Sequence, residues 1–336
     1  MKKNKHSNIP IFLPELACPH QCVFCNQEKI SGILSTPQPS DVQRITETYL
    51  GTMKEKRIVD IAFFGGSFTG IPVDLQEKYL KEAFKFIQKG LVSGIRISTR
   101  PDYIKQDNLD LLKKYGVTTI ELGAQSTNNE VLNKSGRGHN FEAVKRASAL
   151  ILENGFQLGL QMMIGLPYDT FQRSLQTAND IAATGAQSTR IYPTVIIKET
   201  ALEKLYNSGK YKPLSIEEAV LWAKELVKVF EKNKILILRI GLHPSEELVD
   251  GKSLIAGPFH PSFKEMVMSK IWNELIFKEL ENKNPDKVTF RINDKQLNYA
   301  VGFNGCNKRE LTQRGIITRF TADSSLSKYQ FDVSYN

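Results

Sequence analysis

The sequence predicts an α/β protein in which a parallel sheet of six β/α units is followed by a small C-terminal α+β extension. Short runs rich in β-branched and aromatic residues alternate with amphipathic helical patterns, which is typical of right-handed βαβ units. Six units are fewer than the eight of a closed barrel, so a partial (β/α)6 TIM-type barrel and an open doubly wound sheet are the candidate architectures. Polar or glycine-rich segments follow several strand-like runs, and in both architectures ligands bind beyond the carboxyl ends of the strands.

The predicted units follow one another from the N-terminus. The first combines an opening strand at 9–16 with a helix at 41–56. Five further strand-like runs cover 58–66, 94–100, 118–126, 156–165 and 188–197. The later helical patterns include 75–89, 108–115, 141–154 and 174–183. The sixth unit therefore ends near Ile197.

The rest of the chain predicts a helix at 215–233, with Ser215 as its N-cap, and another strand-like run at 235–243. Prolines then interrupt the pattern, and the last part predicts a helix, a strand, two short helices and two strands. We therefore divide the chain into a core at 1–245 and a C-terminal extension at 246–336.

Charge and hydropathy limit the location and the partners. The net charge of +9 is spread along the chain, which indicates a lysine-rich solvated surface or a nucleic-acid partner. No run of about 18 apolar residues is present, which excludes a membrane span. Pro10 and Pro14 interrupt the apolar segment near the N-terminus, so we expect no signal peptide and a cytoplasmic protein. In that compartment clustered cysteines bind metals more often than they form disulfides.

Three of the four cysteines stand in one loop after the first predicted strand. Cys18, Cys22 and Cys25 have the spacing C-x3-C-x2-C. Three thiolates this close can hold three corners of a 4Fe–4S cluster and leave one iron open to a ligand. A zinc site is the alternative, with His20 as the fourth ligand.

This motif, with Phe24 at its aromatic position, resembles the signature of the radical S-adenosylmethionine (SAM) superfamily. The resemblance implies a partial-barrel core in which the three cysteines hold the cluster and act in catalysis. It also implies that the open iron binds SAM, that a flavodoxin- or ferredoxin-type protein reduces the cluster, and that SAM is cleaved to a 5'-deoxyadenosyl radical. Oligomeric state stays open.

Further segments resemble one branch of that superfamily, the radical SAM domain of the catalytic subunit of the Elongator complex. They include ISTRPDYI at 97–104, TIELGAQSTNNEVLNKSGRGH at 119–139 and RIYPTVIIKETALEKLYNSGKY at 190–211. This resemblance implies that the substrate is a tRNA nucleotide. No stretch resembles that subunit's acetyltransferase domain, which puts in doubt a carboxymethylation that needs acetyl-CoA in the same chain. A small-metabolite enzyme similar to oxygen-independent coproporphyrinogen III oxidase is one alternative, and a non-catalytic RNA-binding protein is another.

The resemblance also implies which residues contact SAM. Gly65 and Gly66 would approach its amino end, while Gln125 and Arg137 would hold its ribose and carboxylate. The residues that would lie at the adenine and beside the cluster are Met163, Gly165, Leu166 and Phe24. From the residues alone, a tight turn is the alternative for the two glycines, and hydrogen bonds to strand-end backbone groups are the alternative for Gln125. A solvated loop is the alternative for Arg137, and core packing is the alternative for Met163.

One expected contact departs from the family pattern. Where the relatives carry a glutamate, this chain has Ser98, which can accept a hydrogen bond from the SAM amine but cannot neutralise it. We therefore expect Glu121, on the next strand, to supply the negative charge.

Candidate substrate residues come from later segments. Tyr192 lies in the predicted strand at 188–197, Arg239 and His243 end the one at 235–243, and Cys306 is a lone cysteine near the C-terminus. Cys306 lies beside the sequence Gly302-Phe303-Asn304-Gly305, and the order β-α-GxxG-α-β-β is similar to a KH nucleic-acid module. Helix–turn–helix punctuation and a buried thiol are the alternatives.

Overall fold

The computed structural model describes residues 6–14, 22–26, 29, 35–53, 57–283 and 285–335. Its strands are β1 (His6–Leu13), β2 (Ile58–Gly65), β3 (Gly94–Thr99), β4 (Val117–Gln125), β5 (Gln157–Ile164), β6 (Ser188–Pro193), β7 (Ile196–Ile197), β8 (Leu236–Ile240), β9 (Leu254–Ala256), β10 (Lys287–Ile292), β11 (Ile317–Ala322) and β12 (Phe331–Tyr335).

The helices lie between these strands and after the main sheet. They are α1 (Asp41–Thr52), α2 (Val73–Gln88), α3 (Gln106–Lys114), α4 (Asn129–Lys134), α5 (Phe141–Glu153), α6 (Phe171–Ala183), α7 (Ala201–Asn207), α8 (Ile216–Lys232), α9 (Glu246–Val249), α10 (Phe263–Glu279), α11 (Leu297–Val301) and α12 (Cys306–Gln313). Among the described helices, none combines the length and apolar character needed to cross a membrane.

The main sheet has the order β1-β2-β3-β4-β5-β6-β8, and every neighbouring pair in it is parallel. Strands that follow chain order throughout belong to a barrel-type sheet, because a doubly wound sheet reverses its order at a switch point. The prediction of a partial TIM-type barrel is therefore confirmed. The strand-like run at 235–243 supplies β8, the seventh strand of the described sheet.

The two faces of this sheet differ in chemistry. On β4, Ile120, Leu122 and Ala124 are fully buried in the main hydrophobic core, together with residues of the helices. Side chains alternate along a strand, so Glu121 and its neighbours on that side lie on the opposite face. We call this opposite face, which carries Arg96, Glu121, Gln161 and Arg190, the inner face. Because the helices cover the other face, the inner face lines the inside of the partial barrel.

After the main sheet, β9 pairs antiparallel with β7, and β10 to β12 form a second sheet in the order β11-β10-β12. Trp272 of α10 and Phe290 of β10 are fully buried in a hydrophobic cluster on this second sheet. Val267 and Ile271, also on α10, pack into the main core. Helix α10 therefore joins the two cores, and the boundary at residues 245–246 stays a prediction.

Some element boundaries differ from those predicted. The opening strand begins at His6, and the end predicted for it, at residues 15 and 16, lies outside the described residues. The short helices α4 and α7 are among those that were not predicted. Each follows a side-chain cap, Asn128 or Thr200, but seven residues or fewer show too little of the helical period to be recognised.

Candidate functional site

Backbone hydrogen bonds hold the described part of the cysteine segment. The Val23 N–H donates to the Ser135 carbonyl at 3.1 Å, and the Leu202 N–H donates to the Val23 carbonyl at 2.7 Å. The Cys25 N–H donates to the Cys22 carbonyl at 3.0 Å, which closes a tight turn. The segment is thus fixed between the end of α4 and the start of α7. Cys18 lies outside the described residues.

Packing buries two residues of this segment. Cys22 and Phe24 are buried in a small hydrophobic cluster with Leu166, Ile196 and Leu202, and Cys25 and Met163 pack against it. Leu166 follows β5, and Ile196 follows β6. The cysteine segment therefore contacts loops at the carboxyl ends of the strands, as expected for the ligand-binding end of a barrel.

Arg137 links this segment to the sheet. Its side chain is buried, its Nη1 donates to Cys22 Sγ at 3.2 Å, and its Nη2 donates to the Gly123 carbonyl at 2.5 Å. A Cβ at Gly123 would lie 3.3 Å from Nη2, so the missing side chain leaves room for the guanidinium. Arg100 donates to the Arg137 carbonyl and holds the loop in place.

The two described cysteines fit a metal–thiolate site. A charged N–H donor beside sulfur is a partner that metal-bound thiolates take, and soft sulfur ligands favour iron–sulfur clusters or zinc. Within the described residues, no group of three His, Cys, Asp or Glu side chains that could bind a metal is present. His20 and Cys18 lie outside those residues, so the choice between a cluster and zinc rests on the spacing.

Buried polar atoms without partners surround the carboxyl ends of β2 to β4. Among the described residues, Ser98 Oγ, Gln125 Oε1 and Arg137 Nε are buried and make no hydrogen bond. Ser98 and Gly66 line the same crevice. Buried polar atoms are normally paired, so an unpaired group of them indicates a place where a polar ligand binds.

Two backbone conformations shape this region. Gly65 has a φ of +105°, and its Cβ would lie 3.2 Å from the Leu13 nitrogen, so only glycine allows β1 and β2 to approach here. Gln125 has a φ of +66°, which is strained for a residue with a side chain. Strain of this kind concentrates at functional sites. The turn at Gln125 ends β4 beside the Arg137 guanidinium and Gly123.

Glu121 lies in an ion-pair network on the inner face. Its carboxylate accepts from Arg96 Nη1 at 2.8 Å, from Arg190 Nε at 2.6 Å and Nη2 at 3.1 Å, and from Gln161 Nε2 at 3.1 Å. Burial favours the protonated acid, but the two guanidinium groups outweigh it and hold the pKa of Glu121 below its usual value. The expected partner of Glu121 was a SAM amine, whereas in this structure both of its oxygens accept from protein donors.

Gly165 and the loop after it are held by side chains. Tyr211 donates to the Gly165 carbonyl at 2.6 Å, and the Gly165 N–H donates to Asp169 at 2.9 Å. Burial raises the pKa of Asp169 to about 6. These contacts fix Leu166 where it packs on Phe24 in the cluster described above.

The candidate substrate residues fall in two places. Tyr192 and Arg239 lie on β6 and β8, and His243 follows β8, with its Nδ1 3.5 Å from Arg239 Nη2. Cys306 is exposed at the start of α12, with its sulfur beside Asn307. The structure thus groups the first three residues and places Cys306 in the C-terminal extension.

Two family models match the chain. The model described as the Radical SAM superfamily matches residues 16–181, and the model described as the Radical SAM C-terminal domain matches residues 186–273. Together they cover strands β2 to β6 and β8 of the main sheet, the cysteine segment and the first part of α10. The second match crosses the predicted boundary at residue 245.

The matches to curated relatives cover only part of each relative's length. Elongator complex protein 3 of Saccharomyces cerevisiae is 30% identical over 182 residues, which cover 48% of this chain and 33% of that protein. The tRNA uridine(34) acetyltransferase of Methanocaldococcus infernus is 25% identical over 309 residues, which cover 79% of this chain and 54% of that protein. The chain thus spans between a third and about half of these two relatives.

A solved structure shares the fold. Archaeal Methanocaldococcus infernus Elp3 with an N-terminal deletion aligns with a TM-score of 0.62 and 19% identity, over 83% of this chain and 63% of that one. At this level of identity the likeness concerns the fold.

Proposed function

Because the chain belongs to the radical SAM superfamily, we propose that it is an enzyme that cleaves SAM to modify a tRNA nucleotide. Cys18, Cys22 and Cys25 would hold a 4Fe–4S cluster, which supplies the electron for the cleavage of SAM when it is bound. The observation that carries the proposal is the buried Arg137 guanidinium, which donates to Cys22 Sγ at the carboxyl end of the sheet.

The residues around the cysteine segment would exclude water and orient SAM. Phe24 and Leu166 pack over the segment and keep solvent out. Ser98 Oγ and Gln125 Oε1 are buried acceptors without partners among the described residues, and they suit the amine and hydroxyl donors of SAM. Gly66 lines the same crevice as Ser98. The carboxylate of Glu121 would act through Arg96 and Arg190 rather than by direct contact with SAM.

The tRNA part of the proposal rests on the relatives and on charge. One relative is named as a tRNA uridine(34) acetyltransferase and others as Elongator complex protein 3. The net charge of +9 favours a polyanionic partner. An external one-electron reductant of the flavodoxin or ferredoxin type would complete the reaction. A porphyrinogen or another small metabolite is the alternative substrate, and a non-catalytic RNA-binding scaffold is the alternative class.

Anaerobic reconstitution with iron and sulfide tests the proposal. We expect the reconstituted protein to release 5'-deoxyadenosine from SAM, and only when dithionite or a reduced flavodoxin is present. A protein that holds a reducible cluster and yet releases none with either reductant would favour the scaffold. Nucleoside profiles of tRNA from cells with and without the gene then test the substrate: a modified nucleoside should disappear, and unchanged profiles would contradict tRNA modification.

The C-terminal extension offers an RNA contact within the same proposal. Strands β10 and β11 are parallel, and the helices between them are joined by the loop Gly302–Gly305. This arrangement resembles the core of a KH module, in which a GxxG loop binds a sugar-phosphate backbone. Lys308 and Arg309 follow the loop on α12, and both are exposed. The extension would then hold the tRNA backbone while the main sheet acts on the nucleotide.

Gly305→Asp tests this contact, because a carboxylate in the loop repels phosphate. We expect the variant to bind tRNA about tenfold more weakly at low salt, measured by filter binding. Gly315→Asp is the matched control, because Gly305 and Gly315 have similar φ values, +72° and +81°, and neither meets an atom closer than 3.6 Å at its Cβ. Equal tRNA affinity for both variants would contradict the KH interpretation.

A further inference from the structure

The inner face carries two adjacent arginines near the carboxyl ends of β6 and β8. Arg190 and Arg239 are register partners in the parallel pair formed by these strands, so their side chains leave the sheet on the same side. Tyr192, two residues beyond Arg190, is the register partner of Met163, which packs against the cysteine segment. The two arginines therefore lie beside the proposed reaction site.

The charges of this region do not balance. Glu121 carries one negative charge and is shared between Arg96 and Arg190. Arg239 is half-buried and forms no ion pair with any described residue. Its contacts are long ones, to the Leu242 carbonyl at 3.4 Å and to His243 Nδ1 at 3.5 Å. Arg96 and Arg190 thus share one carboxylate, and Arg239 has none among the described residues.

The neighbouring titratable groups do not remove this excess. Burial and the nearby Arg239 lower the pKa of His243, so its ring is neutral at pH 7 and adds no charge. Burial raises the pKa of Tyr192, so its hydroxyl stays protonated. That hydroxyl accepts a long contact of 3.5 Å from Arg190 Nη1 and donates to no described residue. It remains available as a donor.

We propose that Arg239 and Arg190, with the Tyr192 hydroxyl, bind an oxyanion group of the substrate. Guanidinium groups present paired N–H donors that match the oxygens of phosphate or carboxylate. The ligand would supply the negative charge that the protein lacks here. As a substrate site this inference rests on the proposed function, but oxyanion binding itself can be measured without SAM cleavage. A phosphate would come from a nucleotide, and a carboxylate from a metabolite.

Calorimetric titration of the full chain with methyl phosphate and with acetate, at constant ionic strength, tests the site. We expect the unmodified protein to bind at least one of these anions, and Arg239→Gln to weaken binding about tenfold, because a neutral amide loses the charge-assisted bonds. Arg239→Lys keeps the charge and should retain part of the affinity. Arg319→Gln is the matched control, because Arg319 is an exposed arginine on β11 and its loss lowers the net charge equally.

The possible results distinguish a failure of the oxyanion site from a failure of the proposed function. Tighter binding of methyl phosphate supports the site and assigns it to a nucleotide phosphate, whereas tighter binding of acetate supports the site and assigns it to a carboxylate. Absence of binding to the unmodified protein, or equal binding by the Arg239→Gln and Arg319→Gln variants, would overturn the inference. A failure of the proposed function would instead appear in the 5'-deoxyadenosine assay, which uses neither anion.

Discussion

Replacing Cys22 with alanine is expected to abolish cluster binding and, with it, the release of 5'-deoxyadenosine. The Cys22 thiol is buried beneath Phe24, and the Arg137 guanidinium donates to its sulfur. In the proposed site, loss of one of three ligands would leave Nη1 of that guanidinium without its sulfur partner and an iron without a protein ligand. Iron and sulfide analysis after anaerobic reconstitution, together with electron paramagnetic resonance of the reduced protein, should show a loss of at least about tenfold.

Cys306→Ala is the matched control for this prediction. Cys306 is exposed at the start of α12, in the C-terminal extension. Its replacement should leave iron content and SAM cleavage within about twofold of the unmodified protein, since surface substitutions change little. Normal iron content in the Cys22→Ala variant would contradict the cluster assignment. Equal losses in both variants would contradict the assignment of Cys306 to a position outside the site.

Much of the architecture could be predicted because the alternation of strands and helices is strong. Consecutive βαβ units leave few topologies, and the run that ends at His243 shows strand character before the structure is known. The strand order, β1 to β6 followed by β8, could be determined only from the structure, since the alternation of strands and helices fits both a barrel and a doubly wound sheet. Short helices such as α4 depend on a local cap, at Asn128, and were missed.

The candidate site could likewise be predicted only in part. The cysteine spacing is a local signal, and it predicted the segment that the structure fixes at the carboxyl end of the sheet. The partners of Glu121 are not local: Arg96 and Arg190 lie 25 and 69 residues away, on different strands. The signal for these partners was that polar side chains stand at alternating positions on several strands and so share one face of the sheet. A search for short motifs does not detect such a pattern.

A lone glutamate among predicted strands has several possible partners, and proximity in the fold decides between them. The sequence favoured a SAM amine for Glu121 because Ser98 cannot supply a negative charge there. In the structure both oxygens of the carboxylate accept hydrogen bonds from guanidinium groups, those of Arg96 and Arg190. This arrangement makes Glu121 a residue whose removal changes stability as well as chemistry.

Glu121→Ala is expected to lower the free energy of unfolding by about 3–5 kcal/mol, because it leaves two largely buried guanidinium groups without their carboxylate. Urea unfolding followed by circular dichroism measures this change. Glu142→Ala is the control, since Glu142 forms an exposed ion pair with Lys145, of a type that contributes little to stability. If the two variants unfold at the same urea concentration, the network on the inner face does not stabilise the fold.

The pH dependence of stability gives an independent check on the same carboxylate. The pKa of Glu121 is lower in the folded protein than its ordinary value of 4.5, so its stabilisation is complete above that pH and is lost as the pH falls through the lower folded value. Glu121→Gln removes the titration but keeps the shape, so its stability should fall less steeply than that of the unmodified protein below about pH 5. An identical slope for the two proteins would mean that Glu121 is not held ionised by Arg96 and Arg190.

Arg190 also belongs to the proposed oxyanion site, so a double variant, Glu121→Ala with Arg190→Leu, tests both roles of the network. This variant should recover part of the stability lost in Glu121→Ala, while its anion binding should remain weakened. Such a result would separate the structural role of the network from its role in binding.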